Sequence, residues 1–284
     1  MDVLVTGASS GFGRLTVESL ARRGHRVVAG LRDVGGRNEK AAAELTAFAG
    51  NPRVVEIDVT DQDSVDRAVA GLDRLDAVVN NAGGIFAGPV EAFTAEEAAR
   101  QLDVNVLGAL RVGRAVLPGL RRQGSGVLIQ IGSLSGRVAL PFSGLYAASK
   151  AALGSVTEAW HHELAPFGVE SVVVEAASYP TNIGLNATVP ADAERMAPYT
   201  EAVGGFTQAV IKRSTELAAD PQVVADAVVA LVETPAGRRP LRTVVAHPGQ
   251  LEAVEAFNRL GAETTRAVAD AMGVGAYLTG GRSS

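Results

Sequence analysis

Short runs rich in valine, leucine and isoleucine alternate with helix-length stretches along almost the whole chain. That alternation constrains the fold more than any other feature. Residues 2–6, 25–31, 53–58, 75–80, 126–131, 169–175 and 241–246 read as strands. Residues 11–23, 38–49, a stretch after Asp61, 95–122, 145–165 and 221–233 read as helices; Gly24 closes the first and Gly124 lies at the end of the fourth. Strands this apolar are buried on both faces, so helices must cover a parallel sheet front and back. The predicted fold class is therefore α/β. A length of 284 residues holds one large α/β domain and would allow two. No repeat, low-complexity tract or linker divides it. The expectation is a single domain over 1–278, with 279–284 as a frayed, flexible tail.

Composition matters here for what it excludes. A net charge of −5 leaves no basic footprint for nucleic acid. No apolar run reaches the length of a membrane span. The chain enters a strand at its first residues, so no signal peptide is expected. The absence of cysteine removes disulfides, thiolate metal sites and cysteine nucleophiles, and agrees with a cytoplasmic location. The four histidines suggest no metal site; His161 and His162 are adjacent and so point to different faces of their helix.

Two patterns carry chemistry. The first strand–helix turn reads Thr6-Gly7-Ala8-Ser9-Ser10-Gly11-Phe12-Gly13. Glycines between a strand and a helix let backbone approach a pyrophosphate at the helix N-terminus. The second is Tyr146-Ala147-Ala148-Ser149-Lys150. Four residues apart on a helix, Tyr146 and Lys150 share a face. A nearby ammonium favours phenolate, so Lys150 is expected to lower the Tyr146 pKa toward neutrality and equip the pair for proton transfer.

Taken together, the turn at 6–13, Asn80-Asn81-Ala82-Gly83, Ser133 and Tyr146-x-x-x-Lys150 resemble the short-chain dehydrogenase/reductase family over residues 2 to about 181. The T-G-x-x-x-G-x-G spacing resembles its compact branch. The resemblance implies a Rossmann-type, doubly wound sheet of seven parallel strands and an oxidoreductase using NAD(P). It implies catalytic roles for Asn105, Ser133, Tyr146 and Lys150. Tyr146 gives or takes the proton, Lys150 also binds the nicotinamide ribose, and Ser133 holds the substrate oxygen. Asn105 supports a proton relay; asparagine is a poor helix former, so its place mid-helix needs a reason. Cofactor contacts are implied for Gly7, Ser9, Ser10, Gly11, Phe12, Gly13, Asp58, Val59, Asn81, Ala82, Gly83 and Thr181, with Asn80 or Asn81 equally able to tie strands together.

Cofactor identity turns on the end of the second strand, Gly30-Leu31-Arg32-Asp33. Arg32 stands where NADP-using relatives place an arginine for the 2′-phosphate. Asp33, one position on, is the residue an NAD reading would use. NADP is expected first and NAD second. After the sixth strand the family's Pro-Gly is replaced by Ala176-Ala177, and alanine takes positive φ less readily than glycine, so the backbone under the nicotinamide is expected to differ. Residues from about 178 to 220 match the family's mobile substrate lid. Its bulky residues Tyr179, Ile183, Met196, Tyr199 and Phe206, with Leu134, Leu140 and Phe142, suggest a largely apolar pocket. Ser133, Leu134, Phe142, Tyr146 and Tyr179 are the candidate substrate contacts.

The expected function is an NADP-dependent carbonyl reductase or alcohol dehydrogenase. A non-catalytic dinucleotide-sensing protein is the alternative, and the intact set Asn105, Ser133, Tyr146 and Lys150 argues against it. A family epimerase or dehydratase is disfavoured by the glycine spacing. The expected partners are a small carbonyl or alcohol substrate and further copies of the chain, with neither nucleic acid nor membrane. The resemblance implies a dimer or tetramer paired through the helices at 95–122 and 145–165, where Ala147, Ala148, Ala151, Ala152 and Gly154 leave a surface small enough for close packing.

Overall fold

A computed structural model describes residues 1–217 and 220–279. Residue 279 therefore belongs to the described chain, and the rest of the expected tail, 280–284, lies outside it. Seven parallel strands, β1 (Asp2–Thr6), β2 (Arg26–Leu31), β3 (Arg53–Glu56), β4 (Ala77–Asn80), β5 (Gly126–Ile131), β6 (Val169–Ala176) and β7 (Arg242–Val245), form one sheet in the order β3-β2-β1-β4-β5-β6-β7. Successive strand residues point to opposite faces. Val3 and Val5 enter one buried cluster while Leu4, between them, enters the other. Both clusters are covered by helices, which is why the strands show no polar alternation.

On one face lie α1 (Gly11–Arg22), α2 (Glu39–Thr46) and α9 (Gln222–Glu233); Val17, Leu20, Val224 and Val228 pack with Val5 and Ile129. On the other lie α3 (Gln62–Ala70), α5 (Gly108–Gln123) and α6 (Gly144–Leu164); Val65, Val112, Val116 and Leu164 pack with Val78 and Leu128. Asp61 caps α3 by accepting from the Asp63 N–H, 3.0 Å away. The strand order reverses between β1 and β4. The crevice outside the carboxyl ends of those two strands is where ligands bind in open sheets of this kind.

Three parts differ from the sequence expectation. The helix expected over 95–122 is α4 (Ala95–Leu102) and α5 joined through a π-helical turn at Asp103–Leu107, which contains Asn105. The segment 178–217, which showed little periodicity, contains α7 (Ala193–Met196) and α8 (Thr200–Glu216). A further helix unforeseen in the sequence, α10 (Pro248–Ala271), follows β7.

Candidate active site

Thr6, Asn81 and Ala82 knit the two strand ends that open the crevice. The Thr6 hydroxyl accepts from the backbone N–H groups of Asn81 and Ala82, each at 3.1 Å. The Asn81 amide in turn donates to the carbonyls of Thr6 (2.9 Å) and Gly7 (3.1 Å). Of the two expectations for this residue, strand tying is what its side chain does. The same close approach explains two glycines. A Cβ on Gly7, where φ is +67°, would lie 2.7 Å from the Ala82 Cα, and one on Gly13 would lie 2.4 Å from both the Gly7 carbonyl and the Asn81 amide nitrogen. Gly11, at φ +55°, lies near Thr181, which a Cβ there would approach to 3.5 Å.

Residue Ser10 precedes α1 in an extended conformation and its side chain makes no capping bond. The first-turn N–H groups of Gly11, Phe12 and Gly13 are therefore left without a side-chain acceptor, at the positive end of a twelve-residue helix. This is a cradle for a phosphate-bearing group, and it fits a dinucleotide. Ser9 and Ser10 are partly exposed beside it.

At the end of β2, Arg32 is 46% exposed and its guanidinium lies 3.9 Å from the Asp58 carboxylate. Asp33 adopts a left-handed backbone, φ +53°, and its carboxylate accepts from the Arg37 N–H at 3.1 Å. That carboxylate organises its own loop, while Arg32, paired with Asp58, stands exposed at the end of β2. Asp58 accepts from the Thr60 N–H (2.9 Å) and hydroxyl (2.7 Å). Burial works to raise its pKa, but these hydrogen bonds and the charges of Arg32 and Arg111 outweigh it and hold the carboxyl below its ordinary value. Val59 is buried, with its carbonyl accepting from Arg111 at 3.0 Å.

The residues expected to handle the proton come together from three elements. Asn105, 2% exposed, accepts from the Gly84 N–H (2.9 Å) and donates to the Gly84 carbonyl (3.0 Å) and the Ser149 hydroxyl (2.9 Å). The π-turn carries the extra residue that such a turn inserts, often at functional sites. Gly83 lies against the same side chain: a Cβ there would be 2.9 Å from Asn105 Oδ1. Ser133 follows β5 and accepts from the Ser135 N–H at 3.1 Å, closing a short 3-10 turn over Leu134–Gly136. Tyr146 and Lys150 share one face of α6, with the lysine Nζ 5.7 Å from the tyrosine ring centroid.

Electrostatics depart from expectation here. Burial pushes the Tyr146 phenol up, and a hydrogen bond with Ser133 pulls against it. Burial also lowers the Lys150 ammonium from 10.5 to about 8. The lysine Nζ donates to the Ile131 carbonyl at 2.7 Å. Dehydration thus disfavours both charged forms, and Lys150 does not bring the phenol down as the bare i, i+4 spacing suggests.

Of the expected substrate contacts, Leu134 is buried beside Ser133 and Phe142 stands two residues before α6. Phe142 holds an unusual φ of +62° and meets Phe206 of α8 edge to face, with ring centroids 5.5 Å apart. Tyr179 departs from its expected role. It is 9% exposed, part of the α1–α9 cluster, and lies between Phe12 (6.1 Å between centroids) and His247 (5.3 Å). Its bulk follows the core of that face instead of joining Ser133 and Phe142.

Several contributors were not foreseen. Gln101, fully buried, donates to the Gly84 carbonyl (3.0 Å) and accepts from the Phe86 N–H (2.7 Å). Its spacing of four from Asn105 was an available signal. The segment 84–91 is in turn bound to the segment 178–217. Thr188 accepts from the Ala87 N–H and donates to the Ile85 carbonyl, each at 2.9 Å, as part of a parallel bridge between Phe86 and Thr188. The Tyr199 hydroxyl donates to Glu91, and the Ala191 N–H donates to buried Glu97 at 3.3 Å. Among the described residues there is no cluster suited to a metal ion, and no helix is long and apolar enough to cross a membrane.

Comparison with known proteins agrees with this geometry. A family model described as short chain dehydrogenase matches residues 2–190. An uncharacterized oxidoreductase, YusZ of Bacillus subtilis, is 32% identical over 236 residues, covering 80% of this chain and 83% of that protein. Human 17-beta-hydroxysteroid dehydrogenase type 1 is 40% identical over 182 residues, covering 61% of this chain and 55% of that protein. The structure of a short-chain dehydrogenase from Sphingobium yanoikuyae in complex with NADPH superposes with a TM-score of 0.68 at 25% identity, covering 93% of this chain and 95% of that one. A family match across two thirds of the sequence, on a seven-stranded parallel sheet that opens its crevice beside Ser133, Tyr146 and Lys150, means that the chain belongs to the short-chain dehydrogenase family of oxidoreductases.

Proposed function

We propose that the protein transfers hydride between NADP and a ketone or secondary alcohol of largely apolar character. The observation that carries this reading is the convergence of Asn105, Ser133, Tyr146 and Lys150 beside an uncapped helix N-terminus. Bound nicotinamide supplies the hydride. The N–H groups of Gly11, Phe12 and Gly13 would hold the pyrophosphate, Asp58 and Val59 the adenine edge, Lys150 the ribose, and Thr181 the nicotinamide end. Arg32 would take the 2′-phosphate, a reading supported by its exposed guanidinium and by the engagement of the Asp33 carboxylate with the Arg37 N–H. The NADPH-bound relative supports the same preference.

In reduction, the Tyr146 hydroxyl donates its proton to the substrate oxygen; in oxidation the phenolate takes it back. A phenol held protonated by burial suits the first role at neutral pH. Ser133 orients the substrate oxygen toward Tyr146. Asn105, fixed on Gly84 and Ser149, keeps the helix turn behind Lys150 in place. Phe142 and Phe206 pack edge to face, and Leu134 beside Ser133 and the exposed Val138 and Leu140 between Leu134 and Phe142 add apolar surface. A surface of this kind suits a bulky apolar carbonyl, and the resemblance to a hydroxysteroid dehydrogenase supports that class. We propose further that subunits pair through the α4–α5 and α6 helices.

The test is a screen of apolar ketones with NADPH, following the absorbance of the reduced nicotinamide, repeated on Tyr146→Phe. Turnover should fall by about 10²–10⁴-fold, the contribution of general acid–base catalysis, while dinucleotide affinity is retained. Turnover that survives the substitution would show that another group carries the proton. Binding without turnover in the wild type across the screen would favour a sensing role.

A further inference from the structure

We propose that His247 is a positioning residue that fixes the loop 177–181 against the crevice, taking over a role that a stiffer turn would otherwise fill. The proposal rests on the reading of the crevice as a nicotinamide dinucleotide site. β6 ends at Ala176, and Ala176-Ala177 lack both the fixed φ of proline and the freedom of glycine. The first proline of the loop is Pro180, so the chain at 177–178 has no stiff residue of its own. Its path is set from β7 instead. The Ala177 N–H donates to the Val245 carbonyl at 2.8 Å, the last backbone bond between the two strands. Two residues beyond Val245, His247 Nε2 lies 3.2 Å from the Ser178 carbonyl. A side chain thus extends the ladder by one bond where the backbones diverge.

His247 also stands at the head of α10, where the Gln250 N–H donates to its carbonyl at 2.8 Å and the Gln250 side chain accepts from its N–H at 3.4 Å. A carbonyl oxygen only accepts, so Nε2 is the donor in the bond to Ser178. The ring also faces Tyr179 at 5.3 Å, and Tyr179 meets Phe12 edge to face at 6.1 Å. Phe12 belongs to the glycine turn. A line of three rings therefore ties the head of α10 to the turn at the head of α1, and Thr181, which faces Gly11, lies at the end of the loop so held.

The test uses His247→Ala and His247→Gln in the full chain. Glutamine retains both a donor and an acceptor; alanine has neither. The first readout is hydrogen exchange of the Ala177 amide, which is bonded to the Val245 carbonyl beside the clamp, in dinucleotide-free protein. It should speed up about fivefold or more in His247→Ala, the population change expected for one lost hydrogen bond, and return toward wild type in His247→Gln. The second is calorimetric affinity for NADPH and, separately, for adenosine 2′,5′-bisphosphate, which lacks the nicotinamide half. NADPH binding should weaken about five- to tenfold in His247→Ala while the bisphosphate is unaffected. Unchanged exchange would overturn the proposal, and so would equal losses for the two ligands, which would make His247 a general structural residue. Failure of wild-type protein to bind either ligand would sink the dinucleotide reading, whereas the exchange result would still judge the clamp.

Discussion

Lys150 sits in the fold at an energetic cost, and the cost can be measured. Its ammonium is held at about 8, against 10.5 for the free side chain, because burial removes its water. Each decade of proton affinity corresponds to about 1.4 kcal/mol, so charging this residue destabilises the folded state by about 3 kcal/mol at neutral pH. Its hydrogen bond to the Ile131 carbonyl returns about 1 kcal/mol. Lys150→Met, unbranched and of similar length, should therefore raise stability by about 2 kcal/mol at pH 7 while abolishing turnover. The pH dependence has a definite sign. Below about 8 both states carry the proton and the penalty is complete; above 10.5 neither does and it vanishes. Between those limits the unfolded chain binds more protons, so wild-type stability rises with pH through this residue. Denaturant titrations of dinucleotide-free protein at pH 7 and pH 9 should show the advantage of the variant shrinking by roughly 1 kcal/mol. A variant less stable than wild type at neutral pH, or a difference indifferent to pH, would refute the reasoning.

The cofactor reading predicts that Arg32→Ala weakens NADPH binding by about 1.5–3 kcal/mol, the scale of charge-assisted hydrogen bonds, and leaves NADH binding nearly unchanged. Calorimetry with both dinucleotides checks this, and matching losses would make Arg32 a structural partner of Asp58. Light scattering at micromolar concentration should give a dimer or tetramer; a monomer would remove the helix-pairing proposal. Ala148 and Ala151 remain exposed for that contact and Ala152 partly so, whereas Ala147 and Gly154 are buried within the subunit.

The sheet was legible because its strands are buried on both faces, so valine and leucine runs announced every one of them. The candidate quartet Asn105, Ser133, Tyr146 and Lys150 was legible through the combined motifs that resemble the family, with the asparagine within a helix as a local oddity; the tyrosine four residues before a lysine is by itself a common pair. What stayed hidden was of two kinds. α8 carries Gly204-Gly205 at its middle and is mostly exposed, so neither propensity nor periodicity marked it. α10 buries only a thin stripe, with Leu251, Val254 and Asn258 half-covered, too narrow to register as an apolar face. The packing of Tyr179 against Phe12 and His247 was not legible, because bulk near a site resembles a pocket wall and only packing tells which neighbours it meets. The pKa of Tyr146 could not be read from spacing, since burial acts through the whole surrounding fold.

The bridge between Phe86 and Thr188 has a consequence for exchange between relatives. The segment 178–216 does not hang from its own two ends. It is zipped to residues 84–91, and Gly84 in that stretch is gripped by Asn105 through both its N–H and its carbonyl. The natural module for a chimera is therefore discontinuous: 178–216 together with 84–97. A graft of the first piece alone would bring Tyr199, Ala191 and Thr188 without the Glu91, Glu97 and Ile85 that receive them. The mismatch would be passed by way of Gly84 to Asn105, so that altering which substrate enters would also alter how the proton site is supported.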